Sequence, residues 1–150
     1  MSEFILNEHE KKSLLDRPAT FSTLIVEKGH VQRFAESIGD ENPLYFDKEH
    51  AKSFGYENII APPTFLRCMD PSPPNPPELI SLKNILDGGS EWEYNQNVYV
   101  GDTITSSTSI KSINQRKTKV GTSIFIIGLT SYLNQNNEII GTQKFTYIKY

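Results

Sequence analysis

The chain has little of what would mark a secreted, metal-holding or nucleic-acid-binding protein. One of its 150 residues is cysteine, Cys68, so no disulfide can close within it. A lone thiol suits a reducing compartment, and a cytoplasmic location is the expectation. His9, His30 and His50 are the only histidines, and neither they nor Cys68 stand at metal-ligand spacing, so no metal is expected. Nor is there a basic excess. Fifteen Lys and Arg against 18 Asp and Glu give a net charge of -3, which argues against an electrostatic nucleic-acid partner. The longest apolar run, Ile124 to Leu129, is too short to cross a bilayer. Met1-Ser2-Glu3-Phe4 lacks the basic-then-apolar order of a signal peptide. A single soluble domain over residues 1–150 is expected, long enough to bury a core.

Proline and glycine punctuate the first half. Asn7, with Glu10 in the reciprocal position, caps a short helix that Asp16-Arg17-Pro18 ends. Phe21 to Glu27 has the composition of a strand. Val31, Phe34, Ala35 and Ile38 then line one helix face, stopped by Gly39, and Asp47 caps a further short helix ending at Gly55. A third helix is expected to start at Pro62-Pro63, and the prolines between residues 71 and 77 break it. After Leu86 the pattern is all strand. Asp87-Gly88-Gly89 reads as a turn, Glu91 to Val100 as a strand, and Thr103 to Ile113 as a half-exposed strand. Residues 114–119 read as a hairpin tip, Val120 to Leu133 as the most buried strand, and Glu138 to Lys149 as the last. Helices first and an antiparallel meander second predict an α+β fold.

The stretch from Gly39 to Met69 carries the candidate chemistry. Two polar loops flank an apolar segment, an arrangement suited to a ligand with a polar head and a greasy tail. Asp40 and Asn42 beside Pro43 either orient a water or close an Asx-type turn. Tyr45 either faces the same cavity or packs half-buried under the loop. Ala61-Pro62-Pro63-Thr64 opens a helix whose free N–H groups could polarise a carbonyl, and the two prolines leave that task to Thr64 or beyond. Arg116, Lys117 and Lys119 form a basic group that either meets a phosphate or is simply solvated. Cys68 reads as an inert core thiol and His50 as structural.

Taken together, Ile38 to Tyr45, Phe54-Gly55-Tyr56, Ile60 to Phe65, Gly88 to Tyr94, Val100 to Thr103 and Tyr132 to Gln135 resemble the MaoC-like hot-dog dehydratases. The branch they resemble is the one related to the N-terminal dehydratase domain of fatty acid synthases. The resemblance implies a hot-dog fold, a curved antiparallel β-sheet wrapped around a central helix, in a dimer whose site forms between subunits. It implies hydration of 2-enoyl thioesters or dehydration of 3-hydroxyacyl thioesters on coenzyme A or acyl carrier protein, with no further cofactor. Family catalysts pair an Asp with a His in Asp-x-Asn-Pro-x-His. Asp40, Asn42 and Pro43 match, and Tyr45 stands at the His position.

With Tyr45 there, the chain also resembles the non-catalytic subunit of heterodimeric 3-hydroxyacyl-ACP dehydratases. The expectation is an acyl-thioester-binding hydratase/dehydratase-type subunit, as a homodimer or beside a second hot-dog subunit that brings the Asp–His pair. Substrate contacts are expected from Asn42, Pro43, Ala61, Pro62, Pro63 and Thr64. The alternatives are a self-sufficient homodimeric lyase using Asp40 and Tyr45, and a non-catalytic acyl-CoA binding or sensing module.

Overall fold

The computed structural model describes residues 6–69, 79 and 81–150, and the proline-rich stretch 70–77 lies outside them. Helix α1 spans Glu8–Leu15, capped as its sequence demands: the Asn7 side chain accepts from the Glu10 N–H, and the Glu10 carboxylate accepts from Asn7. Strand β1, Thr20–Ile25, leads into α2, Lys28–Ser37, which buries Val31 and Ala35. Ile38, expected on that buried face, falls just past the helix and is half exposed. Pro43–Tyr45 forms a single 3₁₀ turn, and α3, Lys48–Ser53, starts where Asp47 accepts from the Glu49 and His50 N–H groups. The helix expected from Pro62-Pro63 is a 3₁₀ segment, Pro63–Cys68.

Four long strands follow: β2 Ile85–Tyr94, β3 Thr103–Thr118, β4 Gly121–Leu133 and β5 Ile139–Lys149. With β1 they form one antiparallel sheet in the order β1-β3-β4-β5-β2. The helices and 3₁₀ segments pack on one face of it in two apolar clusters. The larger joins Val31, Ala35, Tyr45, Phe65 and Leu66 to Ile104, Tyr132 and Ile140 of the sheet. The smaller joins Leu14 of α1, Leu79 and Leu82 to Ile113, Ile124 and Ile126. Between them runs a row of buried polar side chains. Thr108 and Thr130 share a hydroxyl–hydroxyl bond of 2.9 Å, Tyr132 donates to Gln143 at 3.0 Å, and Gln143 donates to Ser90 at 3.0 Å. Each of these buried groups is thus paired, as a low-dielectric interior requires.

Two strand limits differ from expectation. Asp87-Gly88-Gly89 does not reverse the chain but sits inside β2 as a bulge, where the register with β5 shifts between Asp87 and Ser90. Asp87 accepts the Gly89 N–H at 2.8 Å, so the local turn forms yet is absorbed by the ladder. Beyond Tyr94 the chain leaves the sheet, and Tyr99 returns only as a bridge to Ile60. The second difference is the basic hairpin tip. Arg116 and Lys117 lie in the β3–β4 ladder opposite Ser123 and Thr122, and the reversal is confined to Lys119 and Val120 before Gly121. Their charges sit on solvent-facing strand, which costs nothing there, and the Arg116 guanidinium lies 5.2 Å over the Phe125 ring. A second bulge, between Ile110 and Ser112, switches which residues of β3 face the helices. Ile104, Ser106 and Thr108 point inward before it, and Ile113 after it.

Candidate active site

The loop after α2 is built by its own side chains. Gly39 adopts φ 69°, and the Asp40 N–H reaches back to the Ala35 carbonyl at 2.9 Å, closing the helix. Asp40 Oδ1 then accepts the Asn42 N–H at 3.1 Å, and Asn42 Oδ1 accepts the Leu44 N–H at 3.1 Å. The Asx-turn reading of these two residues therefore holds for their backbone role. Pro43 occupies the first position of the 3₁₀ turn, where an N–H would lack a partner anyway.

This turn drives Tyr45 inward. Its side chain is 6% exposed and belongs to the larger apolar cluster. Burial raises the phenol pKa above its ordinary value, and the Asp40 charge raises it further. A hydrogen bond from the Asn42 side chain works the other way, and Tyr56 adds a small upward push. Asp40, Asn42 and Tyr56 thus lie near enough to the Tyr45 hydroxyl to act on its charge, at the rim of the cluster. Tyr45 is there as a protonated hydrogen-bonding group, not as a base.

Tyr56 had drawn no role in the sequence beyond its place in Phe54-Gly55-Tyr56. Gly55 at φ 87° turns the chain out of α3, the Tyr56 N–H returns to the Ala51 carbonyl at 3.1 Å, and Tyr56 packs partly buried against the larger cluster. The available signal was a glycine stop followed at once by an aromatic residue.

The second pole lies beside the first. Ile60 donates its N–H to the Leu44 carbonyl at 3.3 Å, stitching the segment before Ala61 to the Asn42–Tyr45 turn. Ile60, Ala61, Phe65 and Tyr45 share the same cluster, and His30 and Phe34 of α2 meet the Phe65 ring edge-on at 4.9 and 5.6 Å. The Ala61 N–H is engaged by the Val98 carbonyl at 2.8 Å, and Pro62 and Pro63 have none to offer. The Phe65 N–H returns to Pro62 at 2.8 Å, which leaves the Thr64 N–H as the first of this segment with no acceptor among the described residues.

Arg116, Lys117 and Lys119 are not part of this constellation. The Asp40 loop packs at the Ile104 end of β3, and residue 116 lies roughly 40 Å further along that strand. Burial pushes the Cys68 thiol pKa up, so it stays protonated at neutral pH. His50 packs its ring 4.9 Å from Phe54, and its backbone N–H is taken up in the Asp47 cap of α3. Among the described residues no group of three His, Cys, Asp or Glu side chains could hold a metal, and no helix is long and apolar enough to cross a membrane.

A family model described as the FAS1-like dehydratase domain region matches residues 17–143. A "Probable enoyl-CoA hydratase alpha subunit" of Thermomonospora curvata is 27% identical over 140 residues, covering 80% of this chain. The chain spans only 43% of that relative's length. Among solved structures, the ChsH1-ChsH2 complex of Mycobacterium tuberculosis superposes with a TM-score of 0.74 at 19% identity, over 89% of this chain and 84% of that one. The HadBC (3R-hydroxyacyl-ACP dehydratase) complex of the same organism gives 0.68 at 18% identity, over 90% and 98%. At these identities the structural likeness establishes the fold, and that fold is the hot-dog fold.

Proposed function

This chain belongs to the family of FAS1-like dehydratase domain regions, and we propose that it is an acyl-thioester-binding subunit of a hydratase/dehydratase acting beside a partner. The observation that carries this reading is the meeting of Asp40, Asn42, Tyr45 and Tyr56 at the edge of an apolar cluster. A thioester head lies against that polar rim, with its acyl chain running along the apolar cluster behind it. The Thr64 N–H is the donor offered to the thioester carbonyl.

Hydration of a 2-enoyl thioester adds the oxygen of water to C3 and a proton to C2, while a base takes the proton that water gives up. One Asp40 oxygen is held by the Asn42 N–H, and the other is left to orient the water. Where the family's catalysts carry a His base, this chain has Tyr45. Tyr45 keeps its proton at neutral pH, which favours a subunit that binds and orients over a self-sufficient lyase. The partner supplies the missing base. The enoyl-CoA hydratase alpha-subunit name of one relative and the two-chain complexes among the structural neighbours support this arrangement.

The test is to purify the chain alone and titrate it with a short 2-enoyl-CoA while following hydration, wild type beside Asp40→Asn. Saturable binding with little turnover is expected. Robust turnover by the isolated chain, abolished in Asp40→Asn, would replace this reading with the self-sufficient lyase. Absence of binding would remove the thioester altogether.

A further inference from the structure

The 3₁₀ segment Pro63–Cys68 has two faces. Such a helix turns once every three residues, so side chains three apart stand one above the other. Phe65 and Leu66 point into the larger cluster, while Thr64 and Arg67, one turn apart, share the exposed face. The segment lies over β5, where a Cβ at Gly141 would meet a Leu66 methyl group at 3.8 Å and the Tyr94 ring at 3.7 Å. Arg67 is its one cation, and among the described residues no carboxylate pairs with it. The guanidinium leans over the core nonetheless. Burial raises the Tyr132 pKa, and the Arg67 charge works against that rise, which requires it to stand near the phenol oxygen.

At Tyr132 the apolar lining stops. Tyr132 donates to Gln143 at 3.0 Å, Gln143 donates to Ser90 at 3.0 Å, and Thr108 and Thr130 bond one another at 2.9 Å. These groups satisfy one another, so an acyl chain pushed past them would part buried polar partners, a costly loss in such an interior. A long hydrocarbon tail therefore finds no continuation there. A short chain that skirts Leu66 ends beside Arg67 instead.

Distance decides what Arg67 would hold. It stands one turn, about 6 Å, beyond Thr64. With the thioester carbonyl at the Thr64 N–H, the guanidinium meets an acidic group about 6–10 Å from the carbonyl carbon. The first phosphate of either carrier lies about 15 Å from that carbon along an extended pantetheine arm, out of reach. A carboxylate at the far end of a six-carbon acyl chain lies about 6 Å away.

We propose that the acyl group bound here is short and ends in a carboxylate held by the Arg67 guanidinium, so that the ligand is a monothioester of an unsaturated dicarboxylic acid. This rests on the proposed function, which sets the thioester carbonyl at Thr64. The planar guanidinium fits a carboxylate through two parallel N–H bonds. At the exposed rim both ions keep part of their hydration, so the pair forms without the penalty of burying charge.

The experiment is calorimetric titration of the whole chain with 2-hexenedioyl-CoA, which has a free carboxylate at its far end, and with 2-hexenoyl-CoA, its uncharged counterpart of equal length. Wild type, Arg67→Gln and Arg67→Lys are each titrated with both, and circular dichroism confirms that the variants fold. Wild type is expected to bind the charged ester about 10–100-fold more tightly. Arg67→Gln should erase that preference by weakening 2-hexenedioyl-CoA alone, and Arg67→Lys should recover part of it. The wild-type preference should also shrink as salt rises from about 0.05 to 0.5 M. Equal affinity for the two esters in wild type, or a preference that survives in Arg67→Gln, would overturn the inference and leave the proposed function standing. If Arg67→Gln weakened both esters alike, Arg67 would belong to the shared pantetheine arm and the inference would fall. Binding of neither ester would remove the proposed function and this inference together.

Discussion

A phenol gives up its proton near pH 10 and takes one from water poorly at neutral pH, and the surroundings of Tyr45 push it further from that task. Imidazole titrates near 6.5 and would be able to do it. Placing His at position 45 beside the retained Asp40 and Asn42 is therefore expected to raise hydration of a short 2-enoyl-CoA by the isolated chain about 10²–10⁴-fold. Burial favours the neutral imidazole and the neighbouring Asp40 charge the imidazolium, so the rate should climb with pH as the ring loses its proton and then level off. Steady-state rates of Tyr45→His across that range check this, with Tyr45→His/Asp40→Asn as the control that returns to the wild-type level. A Tyr45→His variant that still binds the thioester yet gains nothing would show that the missing element is not the base.

The sheet depends on places where a side chain is absent. Gly128 of β4 lies opposite Phe145 of β5, and a Cβ at Gly128 would run into the Phe145 ring, so the ring covers the glycine across the strands. Gly128→Ala is expected to cost about 1–3 kcal/mol by displacing that ring. Gly128→Ala/Phe145→Leu should lose less than the two single changes added together, and urea unfolding of the four proteins measures the difference. Full additivity would mean that ring and glycine do not compete for one space.

Glycine also marks what could be read in advance and what could not. The stops at Gly39 and Gly55, the Asn7 and Asp47 caps and the apolar run of β4 are local signals, and the elements they announce are present. So are the antiparallel sheet and the Asx geometry of the Asp40 loop. Asp87-Gly88-Gly89 carries the same chemistry as a turn, but β5 continues past it and the ladder absorbs it as a bulge. Only the partner strand holds that information. Arg116 and Lys117 have no apolar alternation to betray a strand, and their placement is decided by Thr122 and Ser123 across the ladder. In the site, the Asp40–Tyr45 spacing was legible. The approach of Tyr56 was not, because it depends on how α3 folds back.

At the scale of the molecule, a polar row divides the core into two apolar halves, the larger burying Tyr45 and Tyr132 and the smaller holding Tyr147 against it. Tyr147 packs on the smaller cluster, and burial pushes its pKa up to about 12; burial raises Tyr132 in the larger one further still. Below about pH 10 both phenols are protonated whether the chain is folded or not, so they give stability no slope. Above that, the unfolded chain releases their protons while the folded one retains them. The native state then binds more protons, and stability must fall as pH rises. The loss is about 1.4 kcal/mol per pH unit for each fully retained proton. Lys149, whose pKa burial lowers, works in the opposite sense but only below its ordinary value of 10.5. The tyrosine effect is therefore clearest from there to about pH 12. Urea midpoints measured through this window should decline steadily. Tyr147→Phe, which removes one of these protons, should flatten the decline by up to about 1.4 kcal/mol per unit. An equally steep fall in Tyr147→Phe would place the alkaline lability outside the smaller cluster.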